Sequence, residues 1–119
     1  MNALQWARLS ADLDVRLRRG AWYRVLQLRA LEVVLDVRGT RVTVPRPFVE
    51  IVVTPPRRWT VVHEPRLASH GQTDPGGRYA VCPSCRERQL LDGRPGSMRC
   101  GRCNGLFEVG WNEAYLTAS

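Results

Sequence analysis

Two Cys-x-x-Cys pairs face each other across fourteen residues in CPSCRERQLLDGRPGSMRCGRC, Cys82 to Cys103, and they hold every cysteine of the chain. This spacing constrains the fold more than any other feature. A Cys-x-x-Cys knuckle turns the backbone so that both sulfurs aim at one centre. Two such knuckles complete the tetrahedral four-thiolate shell that zinc favours, with bonds of about 2.3 Å. The expected ligands are Cys82, Cys85, Cys100 and Cys103, and the expected cofactor is Zn²⁺ in a structural, closed site. Two other uses of the pairs were weighed. Disulfides need an oxidising compartment, and a thioredoxin-like dithiol should open a helix after a strand in a βαβ setting. Neither context surrounds these cysteines.

The neighbouring residues suit knuckles. Pro83 follows Cys82, Gly101 follows Cys100, and Asn104-Gly105 follow Cys103. Asn and Gly tolerate the left-handed backbone that such turns often require. The spacer carries the turn pairs Asp92-Gly93 and Pro95-Gly96. The segment YAVCPSCRERQLLDGRPGSMRCGRCNGLFEV resembles the short bacterial zinc-ribbon modules that read C-P-x-C, then R-C-x-x-C, then a nearby Phe and a β-branched residue. The matching positions are Cys82, Pro83, Cys85, Arg99, Cys100, Cys103, Phe107 and Val109, within residues 79–111. Arg86 departs from the pattern, standing where a small residue often follows the first knuckle. The resemblance implies a zinc-holding contact module and fixes no partner.

No run of about 18 apolar residues is present, so no membrane-spanning helix is expected. The N-terminal stretch has charges at Arg8, Asp12 and Asp14, where a secretory signal needs an unbroken apolar core. A cytoplasmic location follows as an expectation. The net charge is +7 and every one of the 18 basic residues is arginine. Zinc on four thiolates contributes −2 and leaves the chain basic. Arginine offers a planar, weakly hydrated fork suited to phosphate and to stacking. Arginine bias also follows from a GC-rich genome.

The chain reads as all-β: a small SH3-like barrel followed by a C-terminal zinc ribbon. The expected boundaries are a basic barrel module over 1–63, a Gly/Pro-rich linker over 64–78 and the ribbon over 79–119. In LEVVLDV, Leu31, Val33, Leu35 and Val37 alternate with Glu32, Val34 and Asp36. Arg38-Gly39 then offers a two-residue turn, and TRVTV returns with Val42 and Val44 inward. AWYRVLQLR, FVEIVV and RWTVV supply further strands, with Pro45-Arg46-Pro47 at a corner. Residues 10–19 read either as a helix, with Ser10 as cap and Gly20 as stop, or as a strand through Leu13, Val15 and Leu17.

Two stretches mix arginine with aromatics: Arg18, Arg19, Trp22 and Arg24, then Arg57, Arg58 and Trp59. Nucleic-acid grooves combine phosphate-binding cations with aromatic platforms of this kind. The competing reading makes Trp22 and Trp59 core residues and the arginines a solvated face. Residues 1–79 hold 13 arginines against seven acids; residues 80–119 hold five against four. The ribbon arginines Arg86, Arg88, Arg94, Arg99 and Arg102 are read first as offsetting the thiolate charge. Phe107 and Trp111 are read as covering the metal site or packing against the barrel, rather than as a binding edge, and His63 and His70 as loop residues. No nucleophile, P-loop or paired-carboxylate motif is present. The expected role is noncatalytic binding of nucleic acid, DNA or RNA, or of a nucleoprotein machine in transcription, translation or DNA maintenance, with no small-molecule substrate; the alternatives are an interaction adaptor for an acidic protein partner and a structural subunit of a larger assembly.

Overall fold

The computed structural model describes residues 4–11, 15–63, 78–91, 93–113 and 115. The expected linker, apart from Arg78, lies outside the described residues, as do His70, Asp92 and the Asp12–Asp14 part of the helix-or-strand stretch. The protein is all-β, with two five-stranded sheets and one 3₁₀ turn. It divides into two compact units, Met1–Pro56 and Arg57–Ser119. Among the described residues no helix is long and apolar enough to cross a membrane.

The first unit is a curled half-barrel. Its strands are β1 (Trp6–Leu9), β2 (Tyr23–Leu28), β3 (Glu32–Val37), β4 (Thr40–Pro45) and β5 (Val49–Val52), in the order β4-β3-β2-β1-β5. A 3₁₀ turn over Arg46–Phe48 carries the chain from β4 to β5 at the expected proline corner. The β3–β4 hairpin has the register expected of its apolar alternation, with Val33 opposite Val44 and Leu35 opposite Val42. Val33, Leu35 and Val44 are fully buried. Arg38 and Gly39 both take positive φ, 54° and 83°. Such two-residue turns match the twist of a hairpin. The Gly39 amide donates to Asp36 Oδ1 at 2.8 Å, which fixes the turn.

Three details differ from the sequence reading. Leu31 is not an inward strand residue; it is 82% exposed, because the strand begins at Glu32 and a turn closes from the Arg29 amide to the Glu32 carbonyl. Val34, placed on the polar face by alternation, is buried. The opening segment contributes a strand, β1, in the second position from the sheet edge, and Trp6–Leu9 lies ahead of the stretch in which an element was sought.

The second unit contains β6 (Arg58–His63), β7 (Arg78–Val81), β8 (Arg88–Leu90), β9 (Ser97–Arg99) and β10 (Leu106–Val109), ordered β8-β7-β6-β10-β9. Two hairpins, β7–β8 and β9–β10, each carry one knuckle at the tip. Between them runs β6, antiparallel to β7 and parallel to β10. This corrects the expected barrel. Arg58–His63 is not its fifth strand but the central strand of the cysteine-bearing sheet. The physical reason is burial: the two hairpins are three and four residues deep, and β6 supplies Trp59, Thr60 and Val62, all nearly inaccessible to solvent. His63 ends this strand, exposed, and is not a loop residue.

Candidate metal centre

The two knuckles have the same backbone plan. The Cys82 amide donates to the Glu87 carbonyl at 2.9 Å, and the Cys100 amide to the Gly105 carbonyl at 2.8 Å. Four residues after each first cysteine an amide returns to that cysteine's carbonyl: Arg86 to Cys82 at 3.1 Å and Asn104 to Cys100 at 2.9 Å. Both returning residues are left-handed, Arg86 at φ 67° and Asn104 at φ 63°. Asn is suited to that backbone, whereas a long side chain carries a cost of about 1–2 kcal/mol. Aligning CPSCRE with CGRCNG puts Arg86 and Asn104 in one column, a signal that was available in the sequence.

These turns bring all four Sγ atoms within 4.8 Å of one another. Cys82 Sγ lies 3.7 Å from Cys103 Sγ, and Cys85 Sγ lies 3.6 Å from Cys100 Sγ. A metal bonded to four sulfurs at about 2.3 Å sets them about 3.8 Å apart at the tetrahedral edges. Disulfide bonding needs about 2.05 Å, and all four cysteines are free. Backbone amides support the cluster. Ser84 donates to Cys82 Sγ at 3.4 Å, and Arg102 and Cys103 donate to Cys100 Sγ at 3.4 and 3.5 Å. The arrangement fits tetrahedral ligation of one metal ion by four cysteines, with no donor position left over.

The sulfurs are not equivalent. Burial pushes the Cys82 thiol up to about 12, only partly opposed by the Cys85 and Ser84 amides. Burial also raises Cys85. At Cys100 burial again acts upward, but the Cys103 and Arg102 amides with the neighbouring thiols outweigh it and bring the group to about 7. A coordinated cation removes the proton from each thiol it binds, so metal binding by these sulfurs would release protons.

The side chains around the sulfurs explain how such short strands hold the knuckles. Trp59, Ala80, Cys82, Leu91, Cys100 and Val109 form one buried cluster, with Val61, Met98, Phe107 and Trp111 packed against it. The Trp59 indole donates to the Met98 carbonyl at 3.0 Å, tying β6 to β9 across the sheet. Gln89 bridges the hairpins: its amide nitrogen donates to the Arg99 carbonyl at 3.2 Å, and its oxygen accepts the Gly101 amide at 3.1 Å. Nothing local in the sequence marks Gln89, because its partners lie ten and twelve residues away. The Phe107 ring covers Gly105, where an added Cβ would come within 2.6 Å of it. That Cβ would also lie 3.5 Å from Cys103 Sγ, so Gly105 lets the Phe107 ring approach the second knuckle. Trp111 packs inward on the cluster and donates to the Pro95 carbonyl at 2.7 Å, with Arg94 at 4.5 Å and Arg78 at 5.3 Å from its ring.

The candidate binding residues fall in both units. Arg18, Arg19, Trp22 and Arg24 belong to the first unit, and Arg57, Arg58 and Trp59 to the second. Trp59 has no exposed surface and is a core residue of the metal unit. Trp22 is 8% exposed, and its ring is covered by the Arg8 guanidinium at 4.3 Å. Neither tryptophan presents a face for a base. Arg24, Arg57 and Arg58 are exposed, while Arg18 and Arg19 are half-buried. Arg58 lies 3.9 Å from Glu108 on the neighbouring strand. In the knuckles, Arg102 meets Glu87 at 3.3 Å, and Arg99 donates to the Asn104 carbonyl at 2.9 Å. The move of β6 also redistributes charge. Met1–Pro56 holds nine arginines against five acids, and Arg57–Ser119 nine against six, so neither unit monopolises the positive field. Compared with family models, curated proteins and solved structures, the chain matches none.

Proposed function

We propose that the chain is a noncatalytic, zinc-stabilised protein that binds nucleic acid or a nucleoprotein machine in the cytoplasm. The observation that carries the metal half of this reading is the set of four sulfurs within 4.8 Å. Thiolate sulfur in a tetrahedron selects zinc among common divalent ions, and a reducing cytoplasm keeps the thiols available. A closed shell of four cysteines leaves no position for water or substrate, which favours a structural over a catalytic ion. The nucleic-acid half rests on the net charge of +7, carried wholly by arginine, and on the exposed pair Arg57-Arg58. Arginine forks match phosphate oxygens, and such contacts release counterions on binding.

The test has two arms. Metal analysis of protein purified under reducing conditions should return one zinc per chain. Titration with single-stranded DNA, duplex DNA and RNA at two salt concentrations should show binding that weakens steeply with salt. Arg57→Glu with Arg58→Glu should then weaken binding and flatten the dependence of log affinity on log salt by about 0.7–0.9 per lost phosphate contact. Binding to no nucleic acid at low salt would leave the second reading, an adaptor for an acidic protein partner. That reading is favoured by the exposed Leu31, Leu90 and Leu106, at 82%, 58% and 59% exposure.

A further inference from the structure

The half-barrel carries an aromatic residue that the linear pattern of arginines and tryptophans does not single out. Trp6 in β1 is in register with Arg24 of β2 on one side and Val52 of β5 on the other. Arg24 is in register with Asp36 of β3, and Asp36 with Arg41 of β4. Residues directly opposite one another in a ladder share a face. Trp6, Arg24, Asp36 and Arg41 therefore form one row across four strands, spanning about 14 Å at the usual strand spacing. The other face of the sheet buries Ala7, Leu9, Val33 and Leu35, and the row's own face buries Arg8 and Val34 two residues along from Trp6 and Asp36.

The charges in this row are arranged to face outward. Arg24 and Arg41 are exposed, and among the described residues neither guanidinium is held by a hydrogen bond or ion pair. The acid between them is engaged in the hairpin turn through the Gly39 amide. Arg38, at the tip of that turn, is a third exposed cation. The two tryptophans of this face differ. Trp22 is capped by Arg8, which is itself locked to Glu50 at 2.6 Å. Trp6 is only half-buried and stands beside Arg24.

We infer that this row is a binding surface for single-stranded nucleic acid, with one base stacked on Trp6 and the adjoining phosphates on Arg24 and Arg41. The inference rests on the nucleic-acid reading above and adds the strand form and the residues. Single strands are singled out because an aromatic platform needs an unpaired base face, which a duplex hides in its own stack. Small barrels use exposed strand faces in this way. The stacking is sequence-tolerant, since every base has a π-face.

The experiment uses the full zinc-loaded chain and a thymidine 20-mer, with a duplex of the same length as comparison. The single strand should bind more tightly than the duplex. Trp6→Ala should lower its affinity by about 10-fold or more, while Trp6→Phe keeps most of it. Arg24→Ala with Arg41→Ala, both surface changes that spare the fold, should reduce the salt slope by about 1.4. An oligonucleotide carrying 5-iodouracil should photocrosslink within the Trp6 peptide. Unchanged affinity in both the Trp6→Ala and the double-arginine variants, with binding abolished by Arg57→Glu and Arg58→Glu, would overturn this surface and leave the proposed function standing. A crosslink confined to residues beyond 56 would overturn it in the same way. No binding of any nucleic acid by the wild-type chain would remove the proposed function and this surface together.

Discussion

The half-barrel and the metal unit are sheets of five strands each, but they are held together by different means. In the half-barrel, strands of up to six residues alternate, and Val33, Leu35, Val44 and Leu9 fill one face with aliphatic carbon. Among the described residues its one deeply buried cation, Arg8, is matched in register by Glu50 and covers Trp22. The metal unit has outer strands of three residues and a buried cluster of six, of which two are cysteines, with Val62, Tyr79 and Val81 also buried. The chain entropy of ordering its loops weighs against so small a core, and units of this size commonly need a staple. The comparison teaches what each unit is built on: the first on the alternation of the sequence, the second on four cysteines arranged for metal ligation beside its apolar residues.

The sharpest break between the two is metal removal. Structural zinc in small thiolate sites supplies roughly 10–16 kcal/mol of apparent binding free energy, far more than the apolar cluster can replace. Chelation, or Cys100→Ser, should leave residues 78–113 without amide protection in hydrogen exchange, while the β3–β4 hairpin stays protected. Protection of both units in the metal-free protein would show that the second unit is held by its apolar cluster alone.

The converse change is Val33→Asp. It places a carboxylate in the fully buried row opposite Val44, at a cost of several kcal/mol. The half-barrel should unfold while the protein still retains one zinc. A cooperatively folded Val33→Asp half-barrel would contradict the observed register, since a slip of one residue exchanges the two faces.

Trp59→Ala tests the boundary between the units. Loss of a fully buried tryptophan costs roughly 3–5 kcal/mol, and its indole hydrogen bond to Met98 is lost as well. Because Trp59 belongs to the second sheet, the damage should appear as weaker zinc retention and lower protection of residues 78–113. The melting of the half-barrel should move little. A fall in half-barrel stability without any change in zinc retention would return β6 to the first unit.

What the sequence made legible follows the same division. Alternation placed the β3–β4 hairpin and its register, because period-two burial is local and Arg38-Gly39 marks the turn. The cysteine spacing placed the four ligands, because a knuckle is a local backbone device. The partner of β6 was not legible. RWTVV follows FVEIVV after a short turn around Pro55-Pro56 and reads as the next strand of the same sheet; its pairing with β7 spans 15 to 21 residues and with β10 spans 50. Gln89 was missed for the same reason. Trp6 was missed because its significance lies in its cross-strand neighbours, and Arg24 and Arg41 stand 18 and 35 positions away.

The smallest expected effect concerns the left-handed position that follows the second cysteine of each knuckle, Arg86 in one and Asn104 in the other. Asn104 takes the left-handed backbone readily, and Arg86 takes it at a cost of about 1–2 kcal/mol. Arg86→Gly relieves that cost but adds back about 0.5–1 kcal/mol of unfolded-chain entropy. It also gives up the contacts of the arginine side chain. The expected result is a gain of no more than about 1 kcal/mol, seen as slower zinc transfer to a chelator. Arg86→Asn, which copies the second knuckle, should gain a similar amount with less entropic loss. Asn104→Ala should act in the opposite direction, because it installs in the second knuckle the strain that the first already carries. If Arg86→Gly and Arg86→Asn both speed zinc loss, the side chain of Arg86 stabilises its knuckle by more than its backbone costs. The first knuckle would then be held by an arginine contact and the second by backbone fit alone.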